Sequence, residues 1–231
     1  MGTSVRLSGE ARFVIHGRTA DLALVPARGD AGPLLVLVQG LALGAADRRN
    51  ILATDQTRPV GLIRFDASEV PADAVLQEGA AAEAAVARLR GMRAVALANE
   101  SVGGADRALE MATAYALQRE QFGRIIGSFQ AIKHKLANML VLVEHARTAA
   151  RYAAASPVDE ERDLLFRAAV AKAYCGDACV SVAADTIQVH GGIGFTWEHA
   201  AHLYYKRACL NAELVWSTLS CREFIRRSLF G

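Results

Sequence analysis

Apolar and polar residues alternate in short runs over the first third of the chain and then change to a helical period. The runs VRLSGEARFVIHG, DLALVPA, PLLVLVQ and GLIRFDASEV are β-branched or alternating, and turns rich in Gly, Pro and Asp separate them. Such runs predict short strands. No helical period fits between them, so the strands are expected to pair antiparallel in a compact unit. From Gly79 onward the sequence is alanine-rich and predicts long helices. One spans Glu78 to Gln118, a second follows Ser128, a third runs from about Asp159 to His190, and two shorter ones lie near 198–212 and 213–229. In the second helix Phe129, Ile132, Leu136, Leu140 and Val143 recur at steps of three, four, four and three, which marks one buried stripe. Gly123 is expected to end the first helix in a left-handed conformation. Ser128 is expected to cap the second, and Ser156-Pro157 to break the chain before the third. The fold class that follows is α+β and mainly α. A small antiparallel β unit occupies 1–77, and a bundle of long antiparallel helices occupies 78–231.

Composition narrows the function. A chain of 231 residues with 52% hydrophobic content can bury a substantial core. Its formal net charge of +2 gives no reason to expect nucleic acid or an anionic membrane as a partner. Cys175, Cys179, Cys209 and Cys221 form no CxxC, and the first two sit one helical turn apart, so packing explains them better than zinc or disulfides. The opening MGTSVRLSGEARF has no apolar signal core, and the longest apolar run, Leu34 to Val38, is too short to span a bilayer. A cytoplasmic protein is expected. Gly103-Gly104 interrupts the first long helix at about 1 kcal/mol per glycine relative to alanine, and close helix–helix approach is the expected reason. His199 and His202, one turn apart with no second pair, read as packing or surface histidines rather than as a metal site.

Two stretches carry chemistry. Residues 115–137, YALQREQFGRIIGSFQAIKHKLA, gather Arg119, Gln121, Arg124 and Gln130 beside Gly123 and Gly127. An arginine fork with neutral amides suits a phosphate-bearing ligand that the backbone can approach closely, although a solvated helix turn has similar charges. Residues 185–205, DTIQVHGGIGFTWEHAAHLYY, end a helix and place three glycines within four residues. A double glycine there is most often a C-cap.

Together the two motifs resemble the paired signatures of the acyl-CoA dehydrogenase family. The resemblance covers essentially the whole chain in order, with residues 1–77 similar to the later part of the family's middle β-domain. It implies an FAD site in which Arg119, Gln121 and Phe122 contact the adenylate and pyrophosphate end, with Gln130 in the same site. Gln188, Gly191 and Gly192 would close it, the glycines allowing the main chain to approach a pyrophosphate without a Cβ clash. Gln130 and Gln188 could instead cap helix ends. In the family these groups reach across a dimer interface to the FAD of the neighbouring subunit.

Two departures from the family pattern qualify the function. The N-terminal helical domain and the opening β-strands near the flavin ring are not in this sequence. In addition, the carboxylate base that takes the α-proton of the acyl-CoA falls on Val215, and the glycine after it on Trp216. The alternative base position corresponds to Arg93, and Glu213, Glu100 and Glu110 do not match either position. The resemblance therefore implies a subunit without a catalytic residue of its own, as in heteromeric members that act in steroid side-chain degradation. Its expected partners are a longer acyl-CoA dehydrogenase subunit carrying the catalytic Glu, a second copy through the helical bundle and an acyl-CoA substrate, assembled as a heterotetramer. A shortened complete dehydrogenase with a relocated base, and a helical subunit without flavin, are the alternatives.

Overall fold

The structure, a computed structural model, describes residues 4–155 and 161–231. The expected break at Ser156-Pro157 and the expected helix start at Asp159 lie outside the described residues. The chain divides into two compact units between Leu89 and Arg90.

In the first unit the expected strands appear as β1 (Ser4–Ile15), β2 (Leu22–Gly29), β3 (Gly32–Gln39) and β5 (Val60–Pro71). A short helix α1 (Gly40–Ala45), strand β4 (Asp47–Ile51) and strand β6 (Val75–Glu78) complete it. These three were not legible: α1 is too short to show a period, and β4, DRRNI, is a polar strand on a sheet edge. All pairings are antiparallel, in the orders β1-β5-β4 and β2-β3-β6. Leu7, Ile63, Phe65 and Val70 of the first sheet meet Val36 and Val38 of the second and Leu43 of α1 in one core.

Helix α2 (Gly79–Gln118) leads into a two-stranded hairpin, β7 (Glu120–Gln121) and β8 (Arg124–Ile125). The bundle continues with α3 (Gln130–Ala154), α4 (Glu161–His190), α5 (Ala201–Glu213) and α6 (Thr218–Phe230). Among the described residues no helix is long and apolar enough to cross a membrane. The core of the second unit is made mainly of alanine, with Met139, Val143, Cys175, Cys179 and Val182 between. The buried thiols pack as expected: desolvation pushes Cys175 up to about 12 and Cys221 up to about 11.

Several local expectations need correction. Phe129, not Ser128, occupies the cap position of α3, and Ser128 Oγ donates to the Ile125 carbonyl instead. The stripe on α3 runs through Ile132, Leu136, Met139, Val143, Ala146, Ala150 and Ala153, while Leu140 is 50% exposed. A step of four residues advances the side-chain direction by about 40°, and a step of three turns it back by about 60°. Two fours in succession therefore carry Leu140 off the face, and Met139 takes its place. Gly103-Gly104 does not serve close packing either. A Cβ at Gly103 would meet nothing within 4 Å, and one at Gly104 only Tyr204, at 3.9 Å. Crowding occurs instead at Gly176 of α4, where a Cβ would sit 2.8 Å from Thr218 Oγ1. Met139→Ala should therefore cost about 2–5 kcal/mol, and Leu140→Ala no more than about 0.5 kcal/mol. Urea denaturation followed by circular dichroism measures both, and equal losses would return Leu140 to the stripe.

Candidate cofactor-binding site

The corner between α2 and α3 is a hairpin rather than a capped helix end. Phe122 and Gly123 both have positive φ, 56° and 76°. Two successive left-handed residues close a two-residue hairpin of the type I′ kind. Gly123 suits this turn, whereas left-handed phenylalanine stores strain of about 1–3 kcal/mol. The Phe122 ring is 91% exposed and touches the Phe129 ring edge-on at 6.0 Å. Arg124 lies over the other aromatic surface, its Cζ 4.0 Å from the centroid of Phe129. The Arg119 guanidinium is exposed and has no hydrogen bond or ion pair among the described residues. Gln121 Nε2 donates to the Glu120 carbonyl, and Gln130 pairs with His134 at 2.9 Å.

The second motif reaches the same end of the bundle. Gln188 is exposed near the end of α4, and Gly191–Phe195 forms a single 3-10 turn. The His190 ring stacks on Tyr115 of α2 at 4.5 Å and 30°. Lys135 of α3 and Asp185 of α4 form an ion pair about one turn behind Gln188. The glycines divide by physical role. Gly191, at φ 64°, is needed for conformation, and Gly194 for space, because a Cβ there would sit 2.9 Å from the Ile187 carbonyl oxygen. In the first motif Gly127 is crowded in the same way, 2.8 Å from the Ala116 carbonyl oxygen. Gly192 has an ordinary φ and open space where a Cβ would be, so the fold makes no demand for glycine there. Neither Gln130 nor Gln188 caps a helix, so the capping alternative fails. Arg119, Gln121, Phe122, Gln130, Gln188, Gly191 and Gly192 are thus all exposed at one end of the second unit.

Residues 80–214 match the acyl-CoA dehydrogenase C-terminal domain. This chain belongs to the acyl-CoA dehydrogenase family. The chain is 43% identical to acyl-CoA dehydrogenase IpdE2 of Mycobacterium tuberculosis over 58% of its length and 39% of the relative's. It is 39% identical to acyl-CoA dehydrogenase FadE34 of the same organism over 87% of its length and 26% of the relative's. The chain thus spans well under half the length of either relative. Among solved structures, it aligns with the ChsE4-ChsE5 complex from Mycobacterium tuberculosis at a TM-score of 0.88 and 28% identity. That alignment covers 97% of this chain and 59% of the matched one. Butyryl-CoA dehydrogenase from Megasphaera elsdenii shares the fold at a TM-score of 0.92 and 23% identity, over 99% and 61% of the two chains.

In this member of the family the segment expected at the base position is a strained turn. Trp216 N–H donates to the Leu214 carbonyl at 2.7 Å, and Val215 between them has φ 67°. That is a γ-turn of the rare left-handed kind, unfavourable for a β-branched residue. Trp216 is 7% exposed and packs among Ala94, Ala168, Ala169, Ala173 and Cys221, edge-on to Phe224 at 5.0 Å. Arg90 covers its ring at 5.3 Å. Beneath the turn the buried Lys172 Nζ donates to the Ala212 carbonyl at 2.8 Å, terminating α5, and desolvation holds its pKa below the usual lysine value. Arg93 and Glu213 are exposed, Glu100 is paired with Arg207 and Glu110 with Arg107.

Sequence reasoning named the polar residues that stand exposed here and did not name the rings that join the two motifs. Tyr115 and His190 stand inside the quoted motifs, but nothing in their spacing shows that they stack. The glycine roles give a direct check. Gly194→Ala should lower stability by about 1–3 kcal/mol through overpacking, whereas Gly192→Ala should stay within about 0.5 kcal/mol of the parent. Denaturant midpoints decide it, and equal destabilisation would place Gly192 in the packing of the turn.

Proposed function

We propose that this chain is a subunit of an FAD-dependent acyl-CoA dehydrogenase that supplies the trans half of an FAD site and no catalytic base. The observation that carries the reading is the open cluster at the end of the second unit. Arg119 has no partner of its own among the described residues, and Gly192 is a glycine without an internal reason. The exposed Phe122 ring is held in a strained turn. An unpaired guanidinium suits a pyrophosphate, which takes paired N–H donors, and a glycine with open space where a Cβ would be lets such a group come close to the main chain. Gln121, Gln130 and Gln188 add neutral donors and acceptors suited to an adenylate. FAD bound there would supply the hydride acceptor for α,β-desaturation of an acyl-CoA thioester.

This chain's own residues at the base position do something different. Val215 has no group that can take a proton, and the buried Trp216 occupies the volume beside it. The base would come from a longer family member paired with this chain; the similar ChsE4-ChsE5 structure is, by its name, a complex of two proteins. Contacts between copies would run through the helical bundle, in a heterotetramer. The acyl-CoA thioesters of steroid side chains are the first substrates to try.

Two experiments test this. The purified chain alone should show negligible acyl-CoA oxidation, since a general base contributes about 10²–10⁴-fold. Activity should appear on mixing with a Glu-bearing partner and vanish when that Glu is mutated. Robust oxidation by the chain alone, lost on mutating Glu213 or Glu100, would mean a relocated base. In the assembled complex, Arg119→Ala should weaken FAD binding about ten- to a hundred-fold, as loss of a charge-assisted bond of about 1.5–3 kcal/mol implies. Arg119→Lys should recover only part. Unchanged FAD retention in the alanine variant would make Arg119 an ordinary surface charge.

A further inference from the structure

The 191–200 segment is held to the bundle by a ladder of rings in which three are imidazoles. Tyr115 of α2 stacks on His190 at the end of α4, and His190 meets His199 of the segment at 4.2 Å and 39°. A second rung joins Trp197 of the segment to His202 of α5 at 4.7 Å and 78°. Lys206 Nζ of α5 also lies over the Trp197 ring, at 4.5 Å from its centroid. The hydrogen bonds fit neutral rings. His190 Nδ1 donates to the Thr186 carbonyl at 2.7 Å, so its Nδ1 carries the proton. His199 Nδ1 accepts from the Ala201 N–H at 3.1 Å, which leaves its single proton on Nε2. His202 is 6% exposed, and its Nε2 is buried without a hydrogen-bond partner.

Among the described residues no group facing the ladder would compensate positive charge on it. From α2 the facing group is the Tyr115 phenol, from α4 His190, and from α5 His202 and the cationic Lys206. Asp185 of α4 is already paired with Lys135 of α3. Glu198, within the segment, is exposed and forms no ion pair or hydrogen bond with the three histidines among the described residues. Protonation of His199 would set a cation against the His190 ring with no anion facing it. Protonation of His202 would bury a charge whose Nε2 donor has no acceptor.

We propose that His199, stacked on His190, and His202, against Trp197, form a proton-sensitive latch that holds the 191–200 segment closed when neutral and releases it when these two imidazoles are charged. Burial, followed by the neighbouring cations, lowers the proton affinity of His199 and His202. A histidine with a folded pKa below its unfolded value stabilises the closed form above about pH 6.5. That contribution is lost as pH falls through the lower folded value. Because Gly191 and Gly192 begin this segment, opening it would disturb the second half of the cofactor site. That consequence rests on the function proposed above, whereas the latch itself does not.

Hydrogen exchange on the full chain without added flavin tests the latch independently of cofactor binding. Protection of the 191–200 amides, corrected for intrinsic exchange, should fall about tenfold or more between about pH 7.5 and about pH 5. Core amides of α3 and α4 should keep theirs. His199→Gln keeps a polar side chain but cannot take the second charge, and its segment should lose most of this pH response. Equal protection at both pH values in the parent would overturn the proposal. So would an undiminished response in a folded His199→Gln protein. If the variant fails to fold, the parent's two-pH comparison still decides.

Discussion

Close packing of small side chains between α3 and α4 is the constraint on which the second unit depends. Ala146, Ala150 and Ala153 on one helix share a buried cluster with Ala171, Cys175, Ala178 and Cys179 on the other, and Cys175 Sγ comes near enough to donate to the Ala146 carbonyl at 3.3 Å. Helices that approach this closely bury little area per residue but fix their mutual register tightly, because any added methylene must displace backbone. Register then determines where the ends arrive. The start of α3 and the end of α4 come to one place, the Lys135–Asp185 pair ties them, and Tyr115 brings the end of α2 alongside. Two motifs some sixty residues apart in sequence can form one polar cluster only because the alanine seam has set that register.

Legibility in the sequence followed the range of the interaction involved. The long helices were readable because their period repeats over many turns, and the four main strands because alternation survives in a half-buried sheet. Short elements such as α1 and β4 offer too few residues for either signal. Gly123 is left-handed as expected, but the helix ends earlier, at Gln118, and this departure shares a cause with those at Leu140 and Ser128. Each was argued from one turn of local pattern, whereas the neighbour across the interface decides which residue is buried and whether the chain turns or caps. Gly103-Gly104 failed for the same reason: small size shows that close approach is permitted, not that a partner is there.

The charged and amide residues proposed for the site stand in motifs that the sequence spells out. The aromatic and imidazole scaffold was not legible there. Rings that stack across three helices leave no spacing rule within any one of them, and nothing along the chain links His190 to the His199–His202 pair. The strain at Val215 was equally hidden, since a left-handed valine is a property of the fold around it.

The two tryptophans differ in surroundings as much as any pair of residues in the molecule. Trp216 is 7% exposed within an apolar cluster, and Trp197 is 71% exposed on the 191–200 segment. Their emission should separate into a short-wavelength component shielded from acrylamide and a long-wavelength component open to it. The protein thus carries one native optical reporter for its bundle and another for its 191–200 segment, and motion of either can be followed without attaching a label.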